Sequence, residues 1–180
     1  TQFGVNGALP DPKLNLVGQA GGLMVASNND WAGDPALATA FARVGAFPFN
    51  AATSKDAGVF QLALAPSNYT VQVSDAGNGT GQVIAELYDA TPLNEFAAST
   101  PRLINVSVLK NVAVGTTLTA GFVIEGTTSK SVLVRAVGPT LGLPPFNLAT
   151  VMPDPKVELF DNATGLRIDG YLGIGFGGFV

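Results

Sequence analysis

Apolar and polar positions alternate along much of this chain with the two-residue period of β-strands. Lys13-Leu14-Asn15-Leu16-Val17 alternates, and residues 58–64 (GVFQLAL) form a nearly continuous apolar run. Pro66-Ser67-Asn68 then turns into Tyr69-Thr70-Val71-Gln72-Val73-Ser74, which alternates again. A Gly- and Asn-rich turn over 75–81 leads into 82–88 (QVIAELY). The spacing predicts that 58–64, 69–74 and 82–88 form an antiparallel meander. Further strands are expected at 102–109, 118–124, 131–137 and 156–160, with turn residues every 8 to 12 positions or so, as in sandwiches and barrels. One helix interrupts the pattern. Asp34 caps it, Pro35 opens its first turn, and 36–44 continues to a stop at Gly45. The fold class expected is all-β, an antiparallel β-sandwich or jelly-roll-like module with one short helix near residues 35–44. Pro92 and small polar residues interrupt the strand pattern over 89–101, dividing a module at 1–98 from a second β segment at 101–180.

The chain also repeats itself. Pro10-Asp11-Pro12-Lys13 recurs as Pro153-Asp154-Pro155-Lys156, 153 − 10 = 143 residues later. At the same offset Phe3 matches Phe146, Leu16 matches Leu159, Ala20 matches Ala163, and Gly22-Leu23 matches Gly165-Leu166. Leu14/Val157, Val17/Phe160 and Val25/Ile168 keep apolar character. Residues 3–25 therefore recur as 146–168, and a fixed period marks a repeated structural unit. Two copies of one β segment compete for one place in a lone globule. The surplus copy has a use between chains, where it fills the corresponding slot of a neighbour by strand addition. Such a contact is head-to-tail and generates an open filament unless the rotation closes a ring. Val157, Leu159 and Phe160 in the second copy, with Leu172, Ile174 and Phe176 alternating with glycines in the tail, are the expected assembly residues. The tail reads equally well as a flexible or truncated end.

Composition narrows the function classes. Charged residues make up 12% of the 180-residue chain, about half the typical share, and the apolar fraction is 47%. Disorder is not expected of such a chain, and a surface with so few charges suits one covered by partners. The net charge is −4, and nine Lys and Arg lie scattered, so no basic patch marks a nucleic-acid partner. No apolar run approaches the roughly 18 residues of a membrane span. No charged stretch followed by an apolar one opens the chain, so an exported form has already lost its signal.

There is no Cys and no His, which removes Ser-His-Asp and Cys-His catalysis and the usual transition-metal ligand sets. The thirteen carboxylates are scattered, and no catalytic pair is evident. The chain reads as a non-enzyme without a cofactor. Asn28, Asp30, Asp34 and Asp56 offer oxygens suited to Ca²⁺ but lack the spacing of a known calcium loop, and capping of turns and helix accounts for them as well. Trp31, Phe41, Phe47 and Phe49 suit either a sugar-stacking platform or packing around the helix. Sequons at Asn68, Asn78, Asn105 and Asn162 permit glycosylation in a secreted context, or arise by chance in an Asn- and Thr-rich chain.

Several motifs also carry a resemblance. Residues 135–141 (RAVGPTL), 10–12 (PDP), 26–31 (ASNNDW), 45–48 (GAFP), 54–57 (SKDA), 69–74 (YTVQVS) and 86–89 (ELYD) together resemble tandem β-sandwich modules of large secreted proteins of environmental bacteria. Residues 10–89 are more distantly similar to bacterial pre-peptidase C-terminal domains. The resemblance implies an exported, cell-surface module and brings no catalytic residues. In that family a segment like 102–143 precedes one like 3–89, so the order here is reversed. The tail 169–177 also departs from the expected match to 26–31. The function expected is a structural subunit of an extracellular filament or surface fibre that partners itself head-to-tail. The alternative is a secreted carbohydrate-binding or adhesive β-sandwich module that binds surface glycans.

Overall fold

The computed structural model describes residues 6–19, 21–124 and 126–172, the last four as backbone. The chain divides into two units, Thr1–Val106 and Ser107–Val180. In the first unit β1 (Pro12–Gly18) is the central strand of an antiparallel sheet, with β2 (Met24–Asn28) on one side and β3 (Tyr69–Asp75) on the other. The alternation of β1 places Leu14 and Leu16 on one face and Lys13, Asn15 and Val17 on the other. The turn to β2 needs a left-handed backbone at Gly21 and Gly22 (φ 81° and 64°), which glycine adopts without a Cβ clash. The N–H of Gly18 closes it by donating to the Leu23 carbonyl at 3.0 Å. The register slips by one residue between Leu16 and Val17, a β-bulge. After β3, the Asp75 carboxylate accepts from the N–H groups of Gly77 and Gly79 at 2.9 and 2.7 Å and turns the chain back.

α1 (Pro35–Val44) forms where its end signals predict. The Asp34 carboxylate accepts the Ala36 N–H at 2.8 Å, Pro35 occupies the first turn, and Gly45 ends the helix in the left-handed region (φ 70°). Trp31, Phe41 and Phe49 pack as a cluster, with the Phe41 and Phe49 centroids 4.9 Å apart and near-perpendicular. The indole N–H of Trp31 donates to the Ala51 carbonyl at 2.9 Å. The Arg43 guanidinium lies 5.0 Å from the Phe60 ring centroid, a cation–π contact. The buried apolar residues that make this core, among the described residues, are Leu16, Trp31, Leu37 and Ala40.

The second unit carries a 3-10 turn at Pro139–Gly142 and an antiparallel pair, β4 (Lys156–Phe160) with β5 (Arg167–Leu172). Buried Gly138 passes so close to the Met152 carbonyl that no side chain fits there. The fold is β-rich and antiparallel, with one short helix, in two small sheets of three and two strands. The expected meander differs. β3 pairs with β1, from which it is separated by the helix, and not with 58–64 or 82–88. Residue 82 makes one parallel bridge with Ala8, with Leu9 N–H donating to the Gln82 carbonyl and Gln82 N–H to the Gly7 carbonyl, each at 2.8 Å. Among the described residues, 58–64, 102–109, 118–124 and 131–137 form no ladder. β2 and β5 were not expected as strands. Their sequences, Met24–Asn28 and Arg167–Leu172, are too mixed to show a clean two-residue period.

Candidate assembly site: a duplicated hairpin with an open edge

The repeat seen in the sequence is a repeat in structure. In the first hairpin Leu14 faces Asn28, Asn15 faces Ser27, Leu16 faces Ala26 and Val17 faces Met24. In the second, Val157 faces Tyr171, Glu158 faces Gly170, Leu159 faces Asp169 and Phe160 faces Arg167. Each pair is the first set moved on by 143 residues. The bulge moves with it, falling between Leu159 and Phe160. So does the closing bond, from the Asp161 N–H to the Leu166 carbonyl at 2.9 Å, and so does the left-handed glycine, Gly165 at φ 69°. A shared register, bulge and turn specify one hairpin twice.

The two copies differ in what stabilises them. At one cross-strand position Asn15 Oδ1 accepts from the Ser27 hydroxyl at 2.8 Å. Its counterpart Glu158 instead receives Lys156 Nζ at 2.9 Å and Arg167 Nη1 at 3.2 Å. Hydrogen bonds from Lys156, then from Arg167, hold the Glu158 carboxyl below its ordinary pKa. In the second turn the Asp161 carboxylate accepts the N–H and hydroxyl of Thr164 at 2.8 and 2.9 Å, which lowers its pKa. Gly18 occupies that position in the first turn. The repeat alignment signals Gly165, whereas Arg167 and Asp161 as anchors become visible only in three dimensions.

They differ more in their surroundings. β1 has a partner on both edges, β2 and β3, while β4 has β5 alone among the described residues. Leu16 is 7% exposed, but its counterpart Leu159 is only half-buried, as is Val157, and Phe160 is 54% exposed. Of the other expected assembly residues, Leu172 ends β5 opposite Lys156, and Ile174 and Phe176 lie outside the described residues. Bare apolar side chains occur in both units: Leu93 and Ile104 of the first are 90% and 92% exposed, and the second carries others beyond the hairpin. Val114 is fully exposed, and Val123 (94%) and Leu133 (80%) nearly so. Full burial of such a side chain is worth about 1.5–3 kcal/mol.

The calcium candidates sit around the start of α1, each with at least one side-chain oxygen engaged by the protein. Asn28 Oδ1 accepts the Gly58 N–H at 3.1 Å, Asp34 caps the helix, and Asp56 accepts the Ser54 hydroxyl. Lys55 Nζ donates to Asp30 Oδ2 at 3.2 Å and lies 3.1 Å from Oδ1, and that hydrogen bond raises the Lys55 pKa. Asp30, Ala32 and residues 52–55 line a shallow open depression. Burial first, and then Glu86, raises the Tyr88 pKa. Trp31 is 9% exposed and turned into the aromatic cluster. The four sequon asparagines Asn68, Asn78, Asn105 and Asn162 are all exposed, the last in the β4–β5 turn. Among the described residues, no helix is long and apolar enough to cross a membrane. Comparison with protein-family models, curated proteins and solved structures finds no match to this chain.

Proposed function

We propose that this chain is a structural module that assembles with copies of itself, head-to-tail, by β-strand complementation, in an extracellular filament or surface fibre. The observation that carries this reading is the second hairpin. It has the register, bulge and turn of the first, yet among the described residues its β4 edge has no partner and its apolar face is only half-buried. An open edge presents unpaired N–H and C=O groups, a ready template for another strand. The bare valines and leucines of the second unit add apolar area for a neighbour to cover. The low charge content and the resemblance to tandem modules of secreted bacterial proteins support the extracellular setting, and a non-enzymatic role agrees with both. A glycan-binding module is less well supported, because Trp31 packs against Phe41 and Phe49 and presents no open ring face.

Negative-stain microscopy of the purified 180-residue chain tests the reading. Filaments that disappear when residues 170–180 are deleted are the expected result. A monodisperse monomer that binds glycans would overturn it.

A further inference from the structure

The β4 edge facing away from β5 corresponds, position for position, to the β1 edge that β3 occupies. We infer that this edge takes the β3 strand, Tyr69–Asp75, of a second copy of the chain, in the register that β1 uses for its own β3. The inference rests on the self-assembly reading above and names its contact.

Three observations lead to this occupant. The first is backbone fit: with identical register, bulge and closing turn, the second hairpin offers the same ladder of donors and acceptors as the first. The second is side-chain compatibility. β1 sets Leu16 opposite Val71 and Asn15 opposite Gln72. Moved on by 143 residues, the same register sets Leu159 opposite Val71 and Glu158 opposite Gln72, so apolar meets apolar and no like charges meet. The third is the burial difference. Leu16 is 7% exposed in a sheet that includes β3, whereas Leu159 is half-buried in one that lacks it. The charges at this edge are paired within the hairpin, Glu158 with Lys156 at 2.9 Å and with Arg167 at 3.2 Å.

β1 and β4 use the same edge of β3, so a second copy yields its β3 only when its own β1–β2 hairpin lets go. The contact is strand exchange between equivalent hairpins, nearly balanced in energy and driven by concentration.

The chain has no cysteine, so introduced thiols are unique. Single variants Gln72→Cys and Glu158→Cys are mixed under assembling conditions and treated with a short thiol-reactive cross-linker. A 72–158 cross-linked dimer is expected, and none from Gln72→Cys mixed with Leu166→Cys, whose residue lies in the turn. In the double variant Asn15→Cys/Gln72→Cys, a reducible linker ties β3 to β1 within one copy. The assembled fraction should fall at least tenfold and recover on reduction. A locked chain that assembles as well as the reduced one overturns the inference while leaving assembly itself standing. So does a 72–158 link that forms within one copy of a double variant at any dilution. A chain that stays monomeric before any lock overturns the assembly reading and this inference together.

Discussion

The β1–β2 and β4–β5 hairpins share register, bulge position, closing bond and turn glycine, yet among the described residues only the first contributes to a buried core. Its central strand has neighbours on both edges and contributes Leu16 to a buried set with Trp31, Leu37 and Ala40. The second hairpin is held by polar anchors of its own: Glu158 between Lys156 and Arg167, and Asp161 in the turn. Local sequence is thus enough to specify a hairpin, while the burial of its apolar face depends on what packs against it. Where the first copy relies on tertiary cover, the second has more local hydrogen bonds and charge pairs.

Truncating the equivalent leucines separates the copies most sharply. Leu16→Ala should cost about 2–4 kcal/mol of unfolding free energy in the first unit, a core-truncation value. Denaturation followed by the fluorescence of the single tryptophan, Trp31, measures it. Leu159→Ala should leave that transition unchanged and lower assembly instead, seen by light scattering. Equal effects of the two on the Trp31 transition would erase the distinction.

A smaller effect is expected at the helix, which stands in the first unit. Asp34→Ala removes the oxygen that accepts the Ala36 N–H and should cost about 1 kcal/mol. The Trp31 transition reads this loss too, while hydrogen exchange in 156–160 should not change.

The smallest effect is that of pH. The Glu158 pKa is lowered in the folded chain, so its stabilising contribution is present above the ordinary glutamate value. It is lost as pH falls through that range to the depressed value. Acid should therefore loosen the β4–β5 hairpin, and Glu158→Gln should flatten that dependence, followed by amide exchange in 156–160. The Asn15–Ser27 bond of the first hairpin involves no titrating group, so this contribution has no counterpart there.

Much of this arrangement was legible in the sequence where the signal is local. Asp34-Pro35 and Gly45 bracket the helix, the alternation of 13–17 and 69–74 marks β1 and β3, and Pro-Asp-Pro-Lys reveals the repeat. β2 and β5 are short and mixed in character, and the better guide to them was the pair of turn glycines and the repeat itself. The runs 58–64 and 131–137 have strand composition without a ladder, because β propensity describes fit to a half-buried pleated surface and pairing is non-local. Gly58 instead faces Leu37 and Phe41 of the helix, whose side chains a Cβ at that position would meet at 3.5 Å. The open edge of β4 could not be read from composition, since it is defined by a neighbour that β1 has and that β4 lacks among the described residues.

Amide hydrogen exchange of β4 tests most directly whether a second molecule occupies that edge. Compared at low and at assembling concentration, the amides of 156–160 that point away from β5 should exchange at least tenfold more slowly in the assembled sample. Identical exchange in those amides at both concentrations, with assembly verified in the same sample, would contradict the account.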